Sequence, residues 1–224
     1  MKPKQQATTK PIRSRERLTA SPPDDAVHAL LQAARQILET EGLPSLSVRR
    51  VAEAAGCTTM QVYSRFGGKD GLLQALFDEG FEALASAQQA VPLALPPAER
   101  VRLLCRQYLT LASERPHHYA LMLGAHSGDF DPPRESRERA MATLVHLVEA
   151  VERALPPPPG RHERAKEVAQ QIFAFCHGWA TLAAARLIDG SRVRAVDRAV
   201  AALLESNRDA ANHDQVVRAE GDHR

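Results

Sequence analysis

The sequence predicts an all-α protein built as two helical units, and three observations carry that prediction. Ala and Leu are abundant, whereas aromatic residues make up only 4% of the chain and β-branched residues are sparse. Apolar residues recur three and four positions apart in stretch after stretch, the period of an amphipathic helix. Gly and Pro fall between these stripes and punctuate them.

The elements follow in order. Residues 1–24 are polar, basic and proline-containing, with Lys2, Lys4, Lys10, Arg13, Arg15 and Arg17 against Glu16 and Asp24. This reads as a disordered basic arm, either a solubilising tail or a segment that orders on DNA phosphates or in a minor groove. Asp24 or Asp25 can cap a first helix striped by Val27, Leu30, Leu31, Ala34, Ile37 and Leu38 and ended by Gly42. Ser47 caps a second, short helix with Val48, Val51, Ala52 and Ala55 on one face, and Gly56 breaks it. Thr58 caps a third, which runs to about Phe66. After Gly67-Gly68 a fourth spans residues 69–88.

Pro92, Pro96 and Pro97 mark a linker, after which the helices lengthen. Val101, Leu104, Cys105, Tyr108, Leu111 and Ala112 stripe one helix, a short one covers residues 116–126, and 127–133 form a loop. Met141, Leu144, Val145, Val148, Val151 and Leu155 stripe the next. Residues 156–160 are a stiff proline linker. Ile172, Phe175, Cys176, Trp179, Leu182, Ala183 and Arg186 share a face of a long helix, and Val193, Val196, Val200, Leu203 and Leu204 stripe the last. The expected organisation is an arm at 1–24, a three-helix unit with its connecting helix at 25–88, a five-helix bundle at 96–208 and a polar, frayed tail at 209–224.

Composition bounds the function. The 224 residues suffice for one or two domains, and the formal net charge of +2 announces no nucleic-acid partner by itself. Cys57, Cys105 and Cys176 are odd in number and far apart, which fits neither a disulfide framework nor a CxxC metal site. Cys57 reads as a small apolar turn residue rather than a redox sensor. With no apolar signal region and no apolar run of membrane-spanning length, a reduced, cytoplasmic chain is expected.

The stretch from Ala54 to Leu73 explains why a chain would hold so short a helix. Two short helices joined by a glycine turn form a helix-turn-helix. The first, through Val48, Val51 and Ala55 against Val62, props the second so that it can enter a DNA major groove. Thr58 and Thr59 place hydroxyls and free N–H groups at a helix start, where phosphate is favoured. Gln61 has the donor and acceptor that pair with an adenine edge, and Met60 and the Thr59 methyl suit a thymine methyl. Tyr63 is either packed or bonded to a phosphate. Arg65 and Lys69 supply positive charge, Arg65 otherwise being a solvated side chain. Ser47 and Arg49, at the start of the supporting helix, complete the candidate DNA-binding set.

The segments AARQILETEG, SVRRVAEAAG and VYSRFGGKDGLL resemble the N-terminal domain of the TetR family of bacterial transcriptional regulators. The resemblance implies a homodimer whose paired helices grip a near-palindromic operator and are released by a small molecule. Met60 and Gln61 stand where the family often has smaller residues, so operator sequence does not carry over. Gly68 replaces the usual serine or asparagine cap before Lys69.

The segments RPHHYALMLG and FCHGW resemble the C-terminal part of a TetR subgroup named for its Trp-His-Gly motif, although the tryptophan here follows the glycine. In the family the last two long helices pair with their copies. Gly178, Ala180, Ala183, Ala184 and Ala185 would permit close approach, and Val196, Val200, Leu203 and Leu204 would add apolar area. These faces otherwise read as intrachain core. A pocket between the middle helices would be walled by Tyr108, Tyr119, Met122, Leu123, Met141, Phe173, His177 and Trp179, each of which also reads as core. His177 needs a partner, a backbone carbonyl or a ligand. The adjacent His117 and His118 point in different directions and no carboxylate or thiolate falls at ligand spacing, so neither a metal nor a cofactor is expected.

The expected function is a repressor, not an enzyme, released from DNA by a small, largely apolar effector. There is no nucleophile elbow, phosphate loop, HExxH or paired carboxylate. An activator on the same fold, or a ligand sensor without DNA binding, remains the alternative.

Overall fold

The computed structural model describes residues 23–124, 130–157 and 161–221, and among them every regular element is helical. The basic arm of residues 1–22, His126 and part of the 127–133 loop lie outside the described residues. Helix α1 spans Pro23–Glu41. Asp24 and Asp25 therefore lie in its first turn, with Pro23 pre-set for a helix start. Leu30, Ala34, Ile37 and Leu38 are buried as the stripe demands. Gly42 ends α1, and a 3-10 turn at Leu43–Ser45, absent from the sequence reading, brings Leu46 into the core.

Helix α2 (Val48–Ala54) is capped by Ser47, whose hydroxyl accepts from the Arg50 amide at 3.4 Å. Helix α3 (Thr59–Phe66) buries only Val62. Its other side chains add little core, so its position depends on its neighbours. Helix α4 (Lys69–Gln89) is long and works twice. Its first half gives Leu72, Leu73 and Leu76 to the core shared with α1, α2 and α3. Its second half gives Phe77, Phe81 and Leu84 to the core of the bundle that follows.

That bundle comprises α5 (Pro97–Glu114), α6 (Pro116–Leu123), α7 (Arg134–Ala154), α8 (Arg161–Ala184) and α9 (Val193–Gly221). Helix α9 continues as helix well past Asp209, where the sequence reading expected fraying. Ala, Arg, Glu and Gln are good helix formers even where no apolar stripe continues. Ala180, Val196, Val200 and Leu204 are buried in this chain's own core. Val196, Val200 and Leu204 therefore face inward, while Val193 and Leu203 of the same stripe are only partly buried. No helix among the described residues is long and apolar enough to cross a membrane.

Candidate functional site

The exposed head of the N-terminal unit is α3. A reciprocal cap fixes its start: the Thr58 hydroxyl accepts from the Gln61 amide at 3.3 Å, and Gln61 Oε1 accepts from the Thr58 amide at 2.8 Å. Gln61 Oε1 also lies 3.2 Å from the Thr58 hydroxyl. This S/T-x-x-E/Q arrangement satisfies two donors that the helix start would otherwise leave open. It also engages the Gln61 oxygen in the helix's own cap, so the two-bond adenine contact is not preformed. The side chains that α3 does present are Thr59, Met60 (74% exposed), Tyr63, Ser64 and Arg65.

The joint between α3 and α4 is tight. A Cβ on Gly71 would lie 1.6 Å from the Phe66 carbonyl oxygen, so the first turn of α4 rests directly on the last residue of α3. Gly68, the residue before α4, has φ +128 and lies under the Tyr63 ring. Serine or asparagine would be strained at that φ, which is why glycine stands at the cap position.

Charge is sorted around this head. Arg50 is committed to Glu41 through two bonds of 2.9 and 2.7 Å, and this pairing holds the Glu41 carboxyl below the usual carboxylate range. Arg35 grips Glu79 at 2.6 and 2.8 Å and so ties α1 to α4. Arg49, Arg65 and Lys69 are exposed and form no ion pair among the described residues. Three unspent cations thus surround the protruding α3.

In the bundle a cavity of about 290 Å³ opens between α4, α5, α7 and α8. Its wall is mostly apolar: Phe81, Leu84, Leu104, Leu123, Leu144, Leu147 and Phe173, with Met141 at 65% exposure and with Gln88, Tyr108, Thr143, Cys105 and Cys176 among the polar members. Of the eight expected wall residues, Tyr108, Leu123, Met141 and Phe173 line it. Trp179 instead lines a second hollow of about 540 Å³ between α5, α8 and α9. Tyr119 and His177 stand behind the wall. Their polar atoms form a closed triangle with Tyr108: hydroxyl to hydroxyl 2.8 Å, Tyr108 to His177 Nδ1 3.1 Å and Tyr119 to His177 Nδ1 2.7 Å. The partner that His177 needs is thus a tyrosine pair, not a carbonyl. Burial pushes both tyrosine hydroxyls above their ordinary range. Cys105 and Cys176 are free thiols; interaction with Cys176 and burial raise the Cys105 thiol, and interaction with Cys105 lowers Cys176.

Met122 packs on Gly80, where a Cβ would meet its Sδ at 2.4 Å. The adjacent His118 is fully buried, with Nε2 2.6 Å from the Leu76 carbonyl oxygen and Nδ1 3.2 Å from Glu39 Oε1. Helix α6 is therefore clasped to both α4 and α1. No group of three or more His, Cys, Asp or Glu among the described residues is arranged to hold a metal ion.

Residues 30–76 match the model of bacterial regulatory proteins of the tetR family, and residues 101–210 match that of the tetracyclin repressor-like C-terminal domain. The chain belongs to the TetR family. A protein of unknown function from Rhodococcus sp. RHA1 is 26% identical, with a TM-score of 0.69 over 87% of this chain and 99% of that one. The TetR family transcriptional regulator PfmR from Thermus thermophilus is 15% identical, with a TM-score of 0.56 over 79% and 97%. LfrR from Mycobacterium smegmatis, a TetR-like transcriptional regulator in complex with proflavine, is 18% identical, with a TM-score of 0.53 over 80% and 95%. The last two likenesses concern the fold alone. No curated protein matches the chain.

As a TetR-family member the chain is a DNA-binding transcriptional regulator. The wall residues that sequence reasoning misses lie on α4, α5, α7 and α8; those on α4, Phe81, Leu84 and Gln88, belong to a helix it reads only as a connector. The available signal was the run Phe77, Phe81, Leu84, Gln88, which continues the apolar face of α4 beyond what the N-terminal unit needs.

Proposed function

We propose that the protein is a homodimeric repressor, released from a near-palindromic operator when a small, largely apolar molecule fills the 290 Å³ cavity. The observation that carries this reading is the double duty of α4. One continuous helix of about 30 Å has Phe81, Leu84 and Gln88 in the cavity wall and Gly71 pressed on the reading helix. A ligand that displaces the wall displaces the joint. In a dimer the two α3 helices would sit about one turn of DNA apart. A change in that spacing prevents both half-sites from being held together, and a coupling of about 1–3 kcal/mol accounts for a useful response.

The roles at the DNA follow from exposure and charge. Arg49, Arg65 and Lys69 take phosphates together with the hydroxyls near Ser47 and Thr58, while Thr59, Met60 and Tyr63 face the groove. The second copy docks on the outer face of α8, where Ala174 and Leu182 are exposed and the space over Gly178 is open. Proflavine bound to LfrR is a precedent for a small-molecule effector on this fold.

The test is selection of bound fragments from sheared genomic DNA of the source organism by the purified protein. Enrichment of a short inverted repeat, lost on adding a ligand of the cavity, supports the reading. Binding that depends only on salt, with no sequence enriched, rejects the operator.

A further inference from the structure

Two buried polar side chains near the α4–α5 connection, Gln88 in the cavity wall and Arg100 one helical turn from the wall residue Leu104, have no hydrogen-bond partner among the described residues. Gln88 is 6% exposed, and its Oε1 makes no hydrogen bond. Arg100 is 3% exposed, and its Nε and Nη1 are buried and unpaired. An unmet amide oxygen is costly, and a guanidinium removed from water without a counter-charge is costlier still. Arginine cannot relieve that cost by losing its proton.

The two groups lie at the same end of the bundle. Gln88 is in the last turn of α4 and belongs to the cavity wall. Arg100 is in the first turns of α5, one helical turn before Leu104, and Leu104 and Tyr108 continue that face along the wall. The short connection 90–96 turns the chain from one helix into the other. The other polar groups of the wall are mostly occupied. The Tyr108 hydroxyl is held by Tyr119 and His177, the Thr143 hydroxyl donates to the Ala140 carbonyl, and Cys105 and Cys176 are buried free thiols, weak hydrogen-bonding groups. Gln170 on α8 is the remaining polar wall residue and is exposed, so the buried, unmet polar group of the wall is Gln88, and a molecule that fits is apolar along most of its length with a polar group at this end.

We propose that the effector is an amphiphile with a carboxylate head, its apolar body filling the cavity and its head lying between Gln88 and Arg100. The proposal rests on the cavity being the effector site. Arg100 supplies the single counter-charge that a carboxylate needs, and a doubly charged head would be left half-neutralised. The Gln88 amide turns its N–H end to the second carboxylate oxygen. A cavity of about 290 Å³ has the room of about ten waters, which suits a body of about eight to twelve carbons. The pull of the head on Gln88 acts on α4 itself, at the end opposite its joint with α3.

The test is calorimetric titration of the full chain with octanoate, 1-octanol and 2-octanone, which have the same length but different heads. Wild type, Arg100→Met and Gln88→Leu are compared, and the empty proteins are melted. Octanoate is expected to bind about tenfold or more tighter than 1-octanol, since hydrogen bonds to a charged partner are the stronger ones. Arg100→Met should bind octanoate no better than 1-octanol, and Gln88→Leu should weaken octanoate several-fold. Empty Arg100→Met should melt at or above the wild type, because it loses a lone buried charge. Equal affinity for acid and alcohol in the wild type overturns the carboxylate and leaves the cavity reading standing. A lower melting temperature for Arg100→Met means the guanidinium has a structural partner, which also overturns the proposal. If none of the three compounds binds, the cavity reading fails, and the carboxylate with it.

Discussion

Nε2 of His118 lies 2.6 Å from the carbonyl oxygen of Leu76, a buried contact between the shortest helix of the bundle and the helix that reaches α3. A carbonyl only accepts, so Nε2 carries the proton that makes this bond. Nδ1 faces Glu39 on α1, and the Gly80 backbone lies against the ring, where a Cβ would be 2.9 Å from His118 Cδ2. One side chain thus joins three helices at the boundary between the two cores.

His118→Ala leaves the Glu39 carboxylate without this partner and opens a hole at that boundary. It is expected to lower stability by about 2–4 kcal/mol, the range for a buried, hydrogen-bonded side chain lost to Ala. Urea denaturation of the two proteins measures it. A loss under about 1 kcal/mol would mean that the clasp is dispensable.

Gly71→Ala addresses the α3–α4 joint. The added methyl has no room at 1.6 Å from the Phe66 oxygen, so one helix must move. Overpacking of this kind costs about 1–3 kcal/mol. The expected result is loss of DNA binding together with a changed affinity of the cavity for its ligand, since coupling through α4 acts in both directions. DNA binding at wild-type strength would show that the joint tolerates repositioning and does not transmit motion.

Gln61→Ala separates capping from base reading. Loss of the reciprocal cap with Thr58 should cost about 1 kcal/mol of stability. Base preference should change little, because the oxygen needed for adenine is held by the Thr58 amide. Selected binding sites for wild type and variant are compared. A relaxed preference at one base step would show that Gln61 leaves the cap on DNA. Lys69→Ala and Arg49→Ala should each weaken all sequences alike and reduce the salt slope by about 1.

Much of this architecture was legible because helices announce themselves by period. Ser47, Thr58, Gly42 and Gly67 mark element ends through local chemistry that tertiary structure has no reason to override. Burial direction was less legible. The stripe Val196, Val200, Leu204 gives a buried face but not what covers it, and here the cover is the chain itself. The candidate wall was half legible for a similar reason. Tyr119 and Tyr108 are both aromatic residues on helical faces, and only three-dimensional placement puts Tyr108 on the cavity and Tyr119 behind it. The unpaired states of Gln88 and Arg100 could not be read at all. A sequence states which polar groups exist, not which of them find partners.

The proposed dimer gives the last prediction. Gly178 lies on the outer side of α8, and a side chain built there meets nothing within 4 Å. Gly178→Arg therefore leaves the chain's own packing intact. If a second α8 lies over that position, the bulk and charge separate the copies. The wild type should sediment at twice the 24.5 kDa chain mass and the variant at the chain mass itself. Operator affinity should fall about 100-fold or more, as two half-sites held together become one. A variant that still sediments as a dimer places the interface elsewhere. One that becomes a monomer yet keeps full operator affinity removes the need for paired half-sites.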